Sequence, residues 1–275
     1  MSVSAPPVKC ALTIAGSDCS GGAGIQADLK TFHALGVYGL SAITAVTVQN
    51  TQKVHAVHPI DPQIVHDQIV CLFDDIHIGA VKIGMVPNAE VVEAVALALN
   101  KVQAPPVVLD PVMISTSGYD LLKPTARQAL VAKLFPLAGV VTPNIPEAEA
   151  LLGTVITTMA QMEEAAERIA RLGASQVVVK GGHLAGDQAV DVFYDGRSFH
   201  HLSAPRLDTP HTHGTGCTFS AAVAAFTARG ESLPDAVRHA KHYITGAIAH
   251  ALDIGKGRGP THHFYDLYLR AGLEP

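Results

Sequence analysis

Short apolar runs alternate along this chain with longer segments whose apolar positions recur at helical spacing. The first pattern predicts buried β-strands and the second amphipathic helices. Val8 to Ala15 opens the series as a strand, and Ile25 to Leu35 follows as a helix closed by Gly36. Strands are expected at Ser41–Val48 and Val54–Val57, a helix over Pro62–Phe73, and a strand at Ile76–Ile83. Asn88 can cap a helix reaching Val102, before a β-rich run, Val107–Leu109, that stops at Asp110-Pro111. The series continues with helix Lys123–Phe135, strand Ala138–Thr142, helices Asn144–Leu151 and Met159–Leu172, and strand Gln176–Lys180. From Ala189 to Leu202 the period shifts towards two, with Asp195-Gly196 at a hairpin turn. Helices resume over Gly214–Ala228 and Leu233–Leu252.

This alternation predicts an α/β fold of three layers, a mostly parallel central sheet with helices on both faces and a small antiparallel excursion. No repeat or linker divides the 275 residues, so one domain is expected, with residues 1–7 as a flexible tail. Hydrophobic residues make up 48% of the chain but aromatics only 5%, and an aliphatic core of that kind suits strands covered on both faces. A formal charge of -5 argues against a protein that tracks a nucleic-acid backbone. Cys10, Cys19, Cys71 and Cys217 form no CxxC pair and read as free thiols of a reducing compartment. The apolar stretch Val91–Leu99 is interrupted by Glu93 and is too short to cross a bilayer, and no basic leader precedes an apolar run. The expectation is a cytoplasmic protein with no membrane partner.

The sharpest local pattern is Thr212-His213-Gly214-Thr215-Gly216-Cys217-Thr218 before an Ala-rich helix. Closely spaced glycines let backbone N–H groups converge at the positive end of that helix, a seat for phosphate oxygens. Side chains at Gly214 or Gly216 would obstruct an approaching phosphate. The same pattern also serves as a plain strand-to-helix turn, and it lacks the Lys-Ser or Lys-Thr of a Walker A loop. Cys217, at a helix N-terminus, is placed for a lowered thiol pKa. It could take a proton, donate to a transferring oxygen, or simply pack.

The chain carries Ala15-Gly16-Ser17-Asp18, then Gly21-Gly22-Ala23-Gly24-Ile25-Gln26-Ala27-Asp28, Gln49-Asn50-Thr51 and Lys82-Ile83-Gly84-Met85. Leu109-Asp110-Pro111-Val112-Met113, Thr142-Pro143-Asn144-Ile145-Pro146-Glu147, Val179-Lys180-Gly181-Gly182 and Gly255-Lys256-Gly257-Arg258-Gly259-Pro260 follow in order. This succession, from about Ala11 to Phe264, closely resembles the hydroxymethylpyrimidine/phosphomethylpyrimidine kinases of the ribokinase-like superfamily. The resemblance implies two ATP-dependent phosphorylations, of 4-amino-5-hydroxymethyl-2-methylpyrimidine and then of its monophosphate, in thiamin biosynthesis. It also implies a homodimer. Pyridoxal and pyridoxine kinases of the same superfamily are the nearest alternative, and a noncatalytic nucleotide-binding module is the alternative of a different class. Cys217 stands where sugar kinases of the superfamily carry Asp, so a simple carboxylate base is in doubt.

By this resemblance Gly16, Ala23, Asp28 and Gln49 line a pyrimidine pocket with Met85 and Val112 as apolar contacts. Gln49 can both donate and accept, and Asp28 could bind the hydroxymethyl group or a ring substituent. Asn144-x-x-Glu147 resembles the superfamily's element for Mg²⁺ and phosphate, although an isolated Asn-x-x-Glu favours helix capping. Glu147, and Asp110 at a strand end, would hold Mg²⁺ through water. Lys180 could reach phosphate oxygens, Thr215 could add a hydroxyl donor, and Lys241 resembles a nucleotide contact. His211 and His213 fit no catalytic zinc pattern.

Overall fold

The computed structural model describes residues 7–113, 122–182, 184 and 186–274, so residues 1–6 of the expected tail lie outside the described part. A nine-stranded sheet spans the described residues in the order β3-β2-β1-β4-β5-β6-β7-β8-β9. Strands β1 (Cys10–Ser17), β2 (Tyr38–Gln49), β4 (Ala80–Ile83), β5 (Val107–Leu109), β6 (Val140–Val141) and β7 (Val177–Val179) run parallel. Strand β3 (Val54–Pro59) is antiparallel at one edge, and β8 (Gln188–Tyr194) with β9 (Phe199–Pro205) at the other. Sequence reading anticipated one antiparallel excursion; the sheet has one at each edge. Its parallel centre needs crossovers, and the helices between strands supply them.

Alternation along the short inner strands divides the core. Leu12, Ile14, Val81, Ile83, Leu109 and Val141 face the cluster under α2 (Pro62–Asp75), α3 (Ala89–Lys101), α4 (Pro124–Lys133), α5 (Ile145–Leu152) and α6 (Met159–Ala170). Ala11, Ala80, Val108, Val140 and Val178 face the cluster with α1 (Gly24–Ala34), α7 (Thr215–Ala228) and α8 (Leu233–Ala249). Helix α7 is buried from Thr218 to Ala228, and its alanines let it lie between the sheet, α1 and α8. The three layers are those expected.

Boundaries shift where connections take up chain. Helix α2 continues to Asp75, so Ile76 is its extended C-cap and β4 starts at Ala80, not Ile76. Helix α8 stops at Ala249, not Leu252, and a further helix, α9 (Tyr265–Ala271), was not anticipated. No described helix is long and apolar enough to cross a membrane.

The strand order places β1 between β2 and β4, so successive connections leave β1 in opposite directions. Such a switch point opens a crevice beyond the carboxyl ends of the strands. The Gly-rich loop after β1 opens there, as do the Met85 segment after β4 and Asp110 after β5.

Candidate active site

A cleft of about 530 Å³ occupies this sheet edge. Of the residues singled out in the sequence, Gly16, Ala23, Gln49, Met85 and Val112 line one part of it. Asp110, Asn144, Glu147, Lys180, Lys241 and Gly214–Cys217 line the rest. Asp28 is absent from the lining.

The polar centre follows from register. Thr13 pairs with Lys82 across β1 and β4, Lys82 with Val108 across β4 and β5, and Val108 with Val140 across β5 and β6. Two residues further along, Asp110 and Thr142 extend the same face, with Thr142 Oγ1 donating to Asp110 Oδ1 at 3.2 Å. Lys180, just beyond β7, places Nζ 2.9 Å from Asp110 Oδ1. Attraction to Asp110 and Glu147 outweighs the loss of water around Lys180 and raises its pKa, so it remains an ammonium.

Helix α7 starts directly on this pair. A Cβ at Gly216 would lie 3.1 Å from Lys180 Nζ and 3.4 Å from Asp110 Oδ2, which shows how closely the helix entry approaches the ion pair. Thr215 N–H points back to Thr212 O, and Thr218 N–H already bonds Gly214 O. The intervening Gly216 and Cys217 N–H groups have no backbone acceptor among the described residues. Two donors, a helix end and an ammonium thus converge on one point of the cleft, a seat for an anion.

Gly214 has a different task from the one expected. Its φ is +77°, and a Cβ there would fall 1.8 Å from Gly22 O, so its missing side chain lets two glycine loops touch. Thr215 Oγ1 donates to Thr212 O at 2.8 Å, which commits its proton to the turn; it is not the free donor expected.

The Cys217 thiol is raised to about 11, opposite to the lowering expected at a helix N-terminus. Burial is the main cause; Lys82 pulls the other way, while Asp28 and Asp110 add to the rise. At neutral pH Cys217 is a thiol, a weak donor and not a base.

Asn144 and Glu147 form a reciprocal capping box. Asn144 Oδ1 accepts from Glu147 N–H at 2.9 Å, and Glu147 Oε2 accepts from Asn144 N–H at 2.8 Å. Burial pushes the Glu147 carboxyl up to about 7, with Lys180 opposing and Asp110 adding to the rise. Among the described residues no cluster of three His, Cys, Asp or Glu side chains could cage a metal. The donor set, two carboxylates beside an anion seat, instead suits a hard cation that keeps its waters.

Asp28 overturns its expected role. Its side chain is fully buried and pairs with Lys82 Nζ at 2.8 Å, while Thr13 Oγ1 donates to the same oxygen at 2.6 Å. A carboxylate without solvent exposure cannot grip a hydroxymethyl group. Lys241 does line the cleft, but Asp191 Oδ2 at 2.9 Å and Ala189 O at 2.8 Å hold its ammonium.

Sequence reasoning missed Asp18 and His213 as parts of the wall. His213 Nε2 lies 2.8 Å from Asp18 Oδ2, joining the loops before α1 and α7. Both residues lay within quoted motifs, but they are 195 positions apart and only folding pairs them. An apolar strip that includes Ala204, Pro205, Leu207, Ile244 and Ile248 was also missed, because it comes from β9, the loop after it and α8.

The chain is similar to known proteins over nearly its whole length. The phosphomethylpyrimidine kinase family model matches residues 18–262. The hydroxymethylpyrimidine/phosphomethylpyrimidine kinase of Rhizobium meliloti (strain 1021) is 53% identical over 258 residues, covering 93% of this chain and 97% of that one. The thiamine biosynthesis bifunctional protein ThiED of Geobacter sulfurreducens is 48% identical over 257 residues, covering 94% of this chain; the chain spans about half (52%) of that relative. A crystal structure of an ADP complex of Bacillus subtilis pyridoxal kinase is similar at a TM-score of 0.87 and 44% identity, covering 94% of this chain and 98% of that one. With family model, relatives and fold in agreement over nearly its whole length, the chain belongs to the phosphomethylpyrimidine kinase family of the ribokinase-like superfamily.

Proposed function

We propose that this cleft carries out both ATP-dependent phosphorylations of the thiamin-pathway pyrimidine, first on its hydroxymethyl group and then on the resulting monophosphate. The observation that carries the reading is the meeting of Lys180, Asp110 and the free N–H groups of Gly216 and Cys217 at one end of a cleft whose other part holds Gln49 and Met85. The first group suits a phosphoryl in transfer and the second a flat polar ring.

In this reading the pyrimidine lies against Met85 and Val112 with Gln49 on its polar edge, and its CH2OH is directed towards Cys217. Lys180 and the α7 amides stabilise charge on the transferred oxygens, and in-line positioning supplies much of the acceleration. A neutral Cys217 donates to an oxygen and does not withdraw the alcohol proton, which passes to an oxygen of the transferred phosphoryl group and from there to water while ADP leaves. The apolar strip along β9 and α8 suits the adenine, with Lys241 held near it by Asp191. Glu147 and Asp110 would hold Mg²⁺ through water; when bound, the ion neutralises polyphosphate charge.

Pyridoxal is the second reading for the acceptor, favoured by the similarity to a pyridoxal kinase. A noncatalytic nucleotide-binding module would need ATP binding without transfer. Incubation with ATP, Mg²⁺ and each acceptor, followed by chromatography of products, decides among the three. Formation of the pyrimidine monophosphate and then the pyrophosphate is expected; a product that stops at the monophosphate removes the double activity. We further propose a homodimer, for which the outer strands β3 and β9 offer edges, and sedimentation at a monomeric mass would refute it. Four free thiols fit a cytoplasmic setting.

A further inference from the structure

Asp18 and His213 are buried in the cleft wall and play no part in the phosphoryl transfer described above. His213 Nε2 lies 2.8 Å from Asp18 Oδ2 and 3.3 Å from Gln49 Nε2, so the amide nitrogen as placed faces the imidazole. Burial alone would raise the Asp18 carboxyl, yet hydrogen bonds from His213 and Ser20 hold it at about 2, so it is a carboxylate. A carboxylate that close to a ring nitrogen requires the hydrogen to be on the nitrogen. This is true of neutral imidazole protonated at Nε2 and of imidazolium alike.

Nε2 therefore has no lone pair to offer Gln49. An amide NH2 directed at it would set donor against donor. The two ends of a glutamine amide are nearly isosteric, and the hydrogen-bond network decides their orientation. Turning the amide over removes the clash: its oxygen then shares the single Nε2–H with Asp18 in a three-centre bond, and its NH2 faces away from the imidazole. That oxygen keeps a second lone pair.

We propose that the Asp18–His213 pair is a specificity-determining positioning device, which turns Gln49 so that it presents a donor to the acceptor substrate's ring. The ring selected is a heteroaromatic with an acceptor nitrogen at that edge, and an exocyclic amine beside it can use the remaining lone pair of the amide oxygen. A 4-aminopyrimidine has both groups, so this inference rests on the pyrimidine reading above and deepens it.

The pair is pinned on both sides. Asp18 accepts from Ser20 N–H and Ala23 N–H, each at 2.8 Å, and its own N–H donates to Gln26 Oε1 at 2.9 Å. His213 N–H donates to Gly259 O at 3.1 Å, and His213 O accepts from Thr261 N–H at 3.4 Å. A Cβ on Gly22 would lie 2.4 Å from His213 Cδ2, so the ring is seated against glycine backbone. A residue held at this many points can impose an orientation on a less constrained neighbour.

The test pairs the pyrimidine alcohol with an analogue in which CH replaces the ring nitrogen beside the amino-bearing carbon. Calorimetric binding and kcat/KM are measured for wild type, His213→Phe and His213→Asn, with KM for ATP and a thermal scan alongside. Wild type is expected to bind the analogue about tenfold to a hundredfold more weakly, since a donor is left unpaired. In the variants that penalty shrinks below about threefold while KM for ATP stays within about twofold. Variants that keep the full wild-type penalty, or that lose ATP and pyrimidine together, overturn the proposal; His213→Asn serves if the bulkier change unfolds the loop. Wild type that prefers the true pyrimidine in binding but transfers no phosphate would remove the kinase reading and support the positioning role.

Discussion

Lys82 Nζ lies 2.8 Å from Asp28 Oδ2, and neither side chain has any solvent-exposed surface. A Cβ at Gly84 would lie 2.7 Å from the same ammonium, so the glycine after β4 makes room for it. Asp28 Oδ1 has no hydrogen-bond partner among the described residues. Loss of water alone would lower the Lys82 pKa, but Asp28, with smaller contributions from Cys217 and Asp110, raises it. The pair supports the floor beneath the start of α7 and does not itself reach the cleft.

Breaking that pair leaves an unmatched buried charge. Asp28→Asn and Lys82→Met are each expected to destabilise the fold by about 3–5 kcal/mol, and the double replacement by markedly less. Urea unfolding of the three variants measures this. Normal stability in Asp28→Asn with a selective rise in KM for the pyrimidine would restore Asp28 to substrate binding.

Gly214 and Gly216 should separate structure from chemistry. Gly214→Ala meets Gly22 O and an unfavourable φ, so it lowers thermal stability. Gly216→Ala has no positive φ to strain and meets only side-chain ends, so it should melt closer than Gly214→Ala to the wild-type temperature. Its methyl group intrudes on Lys180 and the anion seat, and kcat should fall about a hundredfold. Unchanged kcat in a folded Gly216→Ala enzyme would move phosphoryl transfer elsewhere.

The Cys217 thiol, raised to about 11, should be slow to alkylate at pH 8 and faster as pH approaches 11. Exposed Cys19 and Cys71 are first replaced by Ser, and iodoacetamide labelling of Cys217 is followed by mass spectrometry. The pH–rate profile should contain no thiol ionisation between about pH 6 and 9. Rapid labelling of Cys217 at pH 7 would reinstate a thiolate.

Glu147 rises from 4.5 to about 7 on folding. The folded state then holds the proton more tightly than the unfolded chain, so this contribution to stability is complete below about pH 4.5 and is lost as pH climbs through about 7. Between pH 5 and 8 wild type should lose on the order of 1–3 kcal/mol relative to Glu147→Gln. Parallel stability curves for the two proteins would contradict the shift. Mg²⁺ with ATP should release a proton near pH 7 in wild type but not in the variant, which calorimetry in buffers of different ionisation enthalpy detects.

The hydrophobic pattern by itself determined the succession of strands and helices, because backbone hydrogen bonding imposes a period of two or of 3.6 on whichever face is buried. Motif order determined the family, and it brought forward Gly16, Gln49, Met85, Lys180 and the Gly216 turn, all of which line the cleft. Only the tertiary structure decided how charges pair. Asp28 and Lys82 are 54 positions apart, and β1 and β4 had to become neighbours before either had a partner. The same holds for His213 and Asp18, and for the rise of the Cys217 thiol, which depends on how much water and which charges folding leaves around it. Local periodicity is written in adjacent residues; electrostatic environment depends on strand order and depth, which no short segment of the chain contains.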